Sequence, residues 1–456
     1  MTHYDLAIVG TGSGNSLVTP DFDDKTVAIV EKGVFGGTCL NVGCIPTKMF
    51  VYAAEVALGV RDAARYGVDA TLDGVRWRDI RDRVFGRIDP IAEGGKDYRV
   101  NGPNTTAYLG EAHFTGPRVL AVEVDGETQV VTADQIVLSV GAHPVVPDVI
   151  ADSSVPYHTS DTIMRIDDLP KSLVIVGGGF IAAEFAHVFS ALGVQVSVVT
   201  RGPAMLRAED HDISQAFTAL AQTQWDVHLN APVEKVSGDD HGITVSLPGD
   251  VQVDGEMLLV ATGRTPSTAA LNLPAAGVRI HADGRIRVDE FGRTDAEGIW
   301  SLGDASSEYQ LKHVANHEAR VVAHNLVHPE DLRTFDHRYV PSAVFTHPQI
   351  ASVGLTELQA RKAGHDVVTK VQKYGDVAYG WAMEDRTSIV KVVADRSTGA
   401  LLGAHFMGPD ASTLVQPVIQ ALSFGLGVRD MAHGQYWIHP ALTEVLENAL
   451  LGLDLP

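Results

Sequence analysis

An apolar run, Leu6-Ala7-Ile8-Val9, stops abruptly at Gly10-Thr11-Gly12-Ser13-Gly14, and the same grammar returns 167 positions later as Leu173-Val174-Ile175-Val176 followed by Gly177-Gly178-Gly179-Phe180-Ile181-Ala182. A buried strand that ends in glycines and restarts as a helix lets backbone N–H groups approach a pyrophosphate. Each copy has a second strand, Val27–Val30 ending at Glu31 and Val196–Val199 ending at Thr200-Arg201. The predicted class is therefore α/β, with two Rossmann-like dinucleotide-binding domains built on parallel sheets.

The 456 residues leave room for a further domain. Pro144, Pro147 and Pro156 mark the exit from the first unit, and Gly263-Arg264-Thr265-Pro266 closes the second. The expected division is 1–146, 147–266, a central segment 267–337, and a last α+β domain 338–456. In that last part, Tyr339 to Gly354 and Thr387 to Gly408 read as β-rich, and Thr356-Glu357-Leu358-Gln359 reads as a capped helix start.

The ends of the two second strands differ in chemistry. Glu31 can accept hydrogen bonds from a ribose 2′-OH, which suits FAD or NAD. Asn15 stands where a third glycine is expected, and Pro20 with three nearby acids predicts only a short helix. The second unit offers no carboxylate there but has Arg201 and Arg207. A guanidinium fork suits a 2′-phosphate, so NADPH is expected rather than NADH.

The chain has two cysteines, Cys39 and Cys44, in Gly36-Gly37-Thr38-Cys39-Leu40-Asn41-Val42-Gly43-Cys44-Ile45-Pro46-Thr47-Lys48. A structural bridge over so short a loop adds little stability, and a zinc site needs more ligands. Redox chemistry is the favoured reading. His313, His317 and Glu318 lack a completing ligand set, so no metal is assigned. A net charge of −22 argues against nucleic acid or an anionic membrane as partner. No uninterrupted apolar run reaches the ~18 residues of a membrane span. The N-terminal residues run directly into a strand, and a cytoplasmic location is expected.

Together these segments resemble the pyridine nucleotide–disulfide reductases, the family of glutathione reductase and dihydrolipoamide dehydrogenase. The match is carried by the first glycine motif, Gly37 through Lys48, the second motif with Glu184, Ala261 to Pro266, Ser301-Leu302-Gly303-Asp304-Ala305 and His439-Pro440-Ala441-Leu442-Thr443-Glu444. The resemblance implies FAD at Gly10, Gly12, Ser13, Gly14, Glu31 and Lys32, with Gly37, Thr38, Lys48, Ala112 and Gly141. Asp304, Lys312 and His313 would complete that site from the central segment, which returns to the first domain. It implies NADPH at Gly177, Gly179, Phe180, Ile181, Ala182, Glu184, Arg201, Arg207 and Gly263, with Phe180 as an aromatic lid.

The resemblance further implies that Cys39 and Cys44 form the redox-active disulfide, with Cys44 against the flavin and Cys39 facing the substrate. Lys48 would pair with Glu184, and His439, oriented by Glu444, would move protons for the cysteines of the other subunit of a homodimer. The substrate would be a small-molecule disulfide. Ser16 to Asp24 carries no cation, unlike the stretch that meets anionic glutathione, so a neutral, sugar-bearing disulfide is expected. Within the family the likeness points to the reductases of mycothione, the disulfide of the cysteinyl-glucosaminyl-inositol thiol mycothiol. A glutathione reductase-like enzyme and an NAD-dependent dihydrolipoamide dehydrogenase are the alternatives.

Overall fold

The computed structural model describes residues 1–456. Its first sheet has the strand order Thr105–Tyr108, Val27–Val30, Thr2–Val9, Glu127–Leu138, Val119–Val124, Glu111–Gly116. The first four strands run parallel, and Ile299–Ser301 pairs parallel with Glu127–Leu138. The central segment thus returns to the first sheet, as the resemblance implied. The second sheet is parallel throughout, in the order Asp226–His228, Gln195–Val199, Ser172–Val176, Met257–Val260, His158–Thr159. An antiparallel sheet of five strands between Ser342 and Gly408 forms the last domain. The strands by which the chain leaves and re-enters the first region, Ala142–Pro144 and Arg264–Pro266, pair with each other.

The register Val9↔Val30 sets Gly10 beside Glu31. Gly10 has φ +100°, and a Cβ there would lie 2.4 Å from the Ser139 carbonyl oxygen, so both conformation and space require glycine. The first glycine turn departs from expectation: no α-helix follows it, only the 3-10 turns Ser13–Leu17 and Pro20–Phe22. Pro20 has no N–H to donate and clashes with a continuing helix, while Arg99 clamps Asn15 through its side-chain and backbone oxygens, both at 2.7 Å. The second motif does continue into a helix, Phe180–Ala191.

Two helices decide where the cysteines sit. Gly37–Asn41 carries Cys39, a break at Val42-Gly43 follows, and Cys44–Asp62 begins at the second cysteine. By length and composition alone Gly37–Tyr66 could cross a bilayer. In the fold its apolar face packs on neighbours: Phe50 stacks on Trp77 at 4.9 Å, and Trp77 meets Phe189 at 5.8 Å. Phe50, Phe189, Ile350 and Met407 belong to one continuous core, so the three regions share buried apolar surface. That makes their relative placement a packing consequence rather than a matter of linkers.

A second tie joins the region of the second parallel sheet to the last domain. Lys391, 2% exposed, reaches Asp210 at 2.9 Å and both Asp212 and Glu357 at 2.7 Å. Removing one member of a buried ionic cluster leaves the others uncompensated. Lys391→Met is expected to cost about 3–5 kcal/mol, seen as a lower chemical denaturation midpoint, although Lys391 touches neither cysteine.

Candidate functional site

The cysteine loop is pinned from both ends. Asn41 Nδ2 donates to the Phe35 and Gly37 carbonyls at 2.9 and 3.0 Å. Gly37, at φ +65°, brings its backbone so near Gly12 that an added Cβ would lie 2.6 Å from the Gly12 Cα. Both cysteines are free thiols, the reduced state of the pair. A hydrogen bond from Cys39 and the nearby Lys48 outweigh burial and bring the Cys44 thiol down to about 7. The same hydrogen bond, with burial, pushes Cys39 well above the ordinary thiol range. Cys44 also opens a 19-residue helix, whose N-terminal dipole favours a thiolate. One sulfur is thus set up as anion and the other as its proton-bearing donor.

Lys48 follows one turn later and donates to both Glu184 carboxylate oxygens at 2.7 Å. Glu184 lies on the Phe180–Ala191 helix with its side chain 7% exposed. Two further contacts come from Phe345, a residue that no motif marks. Its N–H donates to Glu184 at 2.9 Å, and its ring lies 4.4 Å from Lys48 Nζ. Cys44, Ile45, Lys48, Met49 and Tyr52 from one helix and Arg83 and Arg87 from another line a cavity of about 540 Å³. Sequence reading missed both arginines. Their spacing puts them on one helix face, but only the packing of the two helices aims that face at Cys44.

Part of the expected FAD set comes together in the fold. A Cβ on Gly12 would meet the Gly37 Cα at 3.8 Å, in ordinary van der Waals contact. Lys312 donates to Ser13 at 2.8 Å, joining the first turn to the helix Lys312–Val327, whose N-terminus has no side-chain cap. Asp304 is pushed up by burial, with Arg264 pulling the other way, and it forms no ion pair. Two glycines in close backbone approach, an uncapped helix start and an unpaired carboxyl fit a dinucleotide. Other expected contacts have protein partners. Glu31 accepts from Thr11 N–H and Oγ1 at 2.9 and 2.7 Å and from Gly33 at 2.8 Å, so it braces the turn. Lys32 pairs with Glu111, His313 bonds the Pro341 carbonyl, and the Ala112 side chain lies in the core. Gly141, at φ +66°, turns the chain out of the first sheet.

In the second unit, Gly179 has no atom within 4 Å of an added Cβ, which leaves room at the helix start. Phe180 is 46% exposed there, Ile181 is half-buried and Ala182 is buried. Arg201 and Arg207 are both exposed past the end of Gln195–Val199, and Gly263, at φ +130°, ends the neighbouring strand region. His439 Nδ1 meets Glu444 at 2.7 Å, and this contact holds the Glu444 carboxyl below its usual range. His439 is 73% exposed and does not line the Cys44 cavity within the chain. Phe424, Leu426, Tyr436 and Ile438, all exposed, precede His439 in the sequence.

The pyridine nucleotide-disulphide oxidoreductase model matches residues 4–319, and the dimerisation domain of the same family matches residues 340–450. The chain belongs to this family. It is 56% identical to mycothione reductase of Mycobacterium tuberculosis, over 99% of this chain and the whole of that protein. Glutathione reductase of Burkholderia cepacia is 32% identical, with 97% of each chain covered. The HOCl-induced flavoprotein disulfide reductase RclA from Escherichia coli, as its Cu(II) complex, superposes with a TM-score of 0.86 at 28% identity, with 99% of each chain covered.

For the reduced protein, iodoacetamide alkylation should rise through pH about 7 as Cys44 ionises. The lowered value means the anion exists above that pH and is lost below it. Lys48→Met should move this limb upward, and Cys44→Ser should remove it.

Proposed function

We propose that this disulfide oxidoreductase is an NADPH-dependent FAD enzyme that reduces mycothione to mycothiol as a homodimer. The observation that carries the redox reading is the asymmetric thiol pair with Lys48–Glu184 beside it. The mycothione assignment is supported by the 56% identity along the full chain. The division proposed is residues 1–146 with 267–337 around FAD, 147–266 for NADPH and 338–456 for the dimer contact. The exposed apolar side chains around His439 suit a face covered by a second copy.

The chemistry that FAD supplies when bound is acceptance of a hydride from NADPH and two-electron reduction of the Cys39–Cys44 bridge. Gly10, Gly12, Gly37 and Asp304 would hold it. Lys48 keeps a positive charge beside Cys44, and Glu184 holds that ammonium in place. Cys39 retains its proton, so attack on a substrate disulfide needs a base. His439 of the partner subunit takes that proton while its own Glu444 orients the ring. The Cys39 sulfur then bonds one substrate sulfur, and the other leaves as a thiol carrying the proton from that imidazole. Cys44 thiolate attacks Cys39, the mixed disulfide breaks, and the second thiol is released after protonation. One hydride, one proton and one S–S bond are consumed for two thiols.

Arg83, Arg87 and Tyr52 offer hydrogen-bond donors at the cavity rim, suited to a ligand rich in hydroxyl and amide oxygen. They would also suit a carboxylate, which makes glutathione disulfide the necessary control. NADPH oxidation by the purified protein should be fast with mycothione and slow with glutathione disulfide or lipoamide. Equal turnover with glutathione disulfide would sink the assignment. His439→Gln should lower kcat by roughly 10²–10⁴-fold. Arg201→Ala with Arg207→Ala should reduce kcat/KM for NADPH by about 10–100-fold, at ~1.5–3 kcal/mol for a charge-assisted bond, and leave NADH little changed.

A further inference from the structure

The three segments that meet at Lys48, Glu184 and Phe345 meet a second time. Glu55 lies seven residues after Lys48 on the same helix, two turns or about 10 Å along its axis. His187 follows Glu184 by one turn, and His347 follows Phe345 by two positions on the connecting segment. Glu55 takes both imidazoles: Oε2 lies 3.1 Å from His347 Nδ1, and Oε1 lies 3.3 Å from His187 Nε2. The two rings are near-parallel, at 17°, with centroids 6.3 Å apart. His187 is 4% exposed, and its Nε2 makes no hydrogen bond, so its 3.3 Å approach to Glu55 is a charge contact only. Burial works to raise the Glu55 carboxyl, but the two imidazoles outweigh it and hold it at about 2. The same contact raises His347, with Asp62 also raising it and Arg65 opposing.

The two helices already pack on the shared core, and two polar contacts about 10 Å apart add a restraint on their angle. We propose that Glu55, His187 and His347 act as positioning residues, a second cross-link that sets the angle of the Cys44–Asp62 helix against Phe180–Ala191 and thereby keeps the Lys48–Glu184 pair in place beside Cys44. The cross-link acts through Lys48 and touches no reacting atom. It rests on the reading of Cys44 as the thiolate of the site.

Alkylation of the reduced holoenzyme by iodoacetamide across pH tests it. Glu55→Ala should cut the Cys44 rate at pH 7 about threefold by moving its ionisation upward, and Glu55→Gln, which keeps an acceptor, should restore most of it. If Glu55→Ala does not fold, His347→Ala is measured in its place with the same expectation. In a Lys48→Met background the Glu55→Ala effect should vanish, because the two act through one group. A lowered melting temperature with an unchanged alkylation profile, or fully additive effects of the two substitutions, would overturn the positioning role. A wild-type protein lacking any thiol that ionises near pH 7 would overturn the Cys44 reading itself, separately from the cross-link.

Discussion

The ion pair between Lys48 and Glu184 is where the separate parts of this chain become one site. Lys48 is presented by the helix that starts at Cys44, and Glu184 by the helix that starts at the second glycine turn. Each side chain needs the other. A nearly buried carboxylate without a cation is costly, and an ammonium without its carboxylate would not be held beside one sulfur. Phe345 closes the arrangement from the last domain by donating its N–H to Glu184.

The two cysteines take different roles because of what surrounds them, not because of their own chemistry. Cys44 gains a helix start, a cation and a hydrogen bond. Cys39, the donor of that hydrogen bond and partly buried, holds on to its proton. In the proposed reaction this asymmetry is why Cys39 needs a base, the role assigned there to the imidazole braced by Glu444. The exposed apolar side chains beside His439 fit the same picture: the surface is finished only against another copy. The acidic net charge makes the unpaired arginines informative, since carboxylates to satisfy them are abundant and those near Arg201 and Arg207 do not.

Much of the fold could be read locally. Strand, glycine turn and second strand recur with spacing that a parallel sheet imposes, and the Thr356–Gln359 capping box formed as its residues suggest. The first turn was legible as leading to a short helix because of Pro20; that it holds only 3-10 turns reflects the Arg99 clamp on Asn15 as well. Glu31 was legible as a strand-end acid, but its bonds to Thr11 and Gly33 depend on register. Arg83, Arg87, Phe345 and the Glu55 cluster carried no motif at all. Their importance comes from contacts between residues more than a hundred positions apart in several cases, and no local pattern encodes those.

By itself the order of residues settled the two nucleotide units, the redox cysteines five positions apart and the acid–imidazole pair near the C-terminus, because each is a short segment whose chemistry depends on near neighbours. Tertiary structure alone decided which sulfur becomes the anion, which cation stands beside it and which helices frame the cavity. Charge and burial at a point in space are summed over every segment that reaches it, and here those segments come from three domains packed on one core.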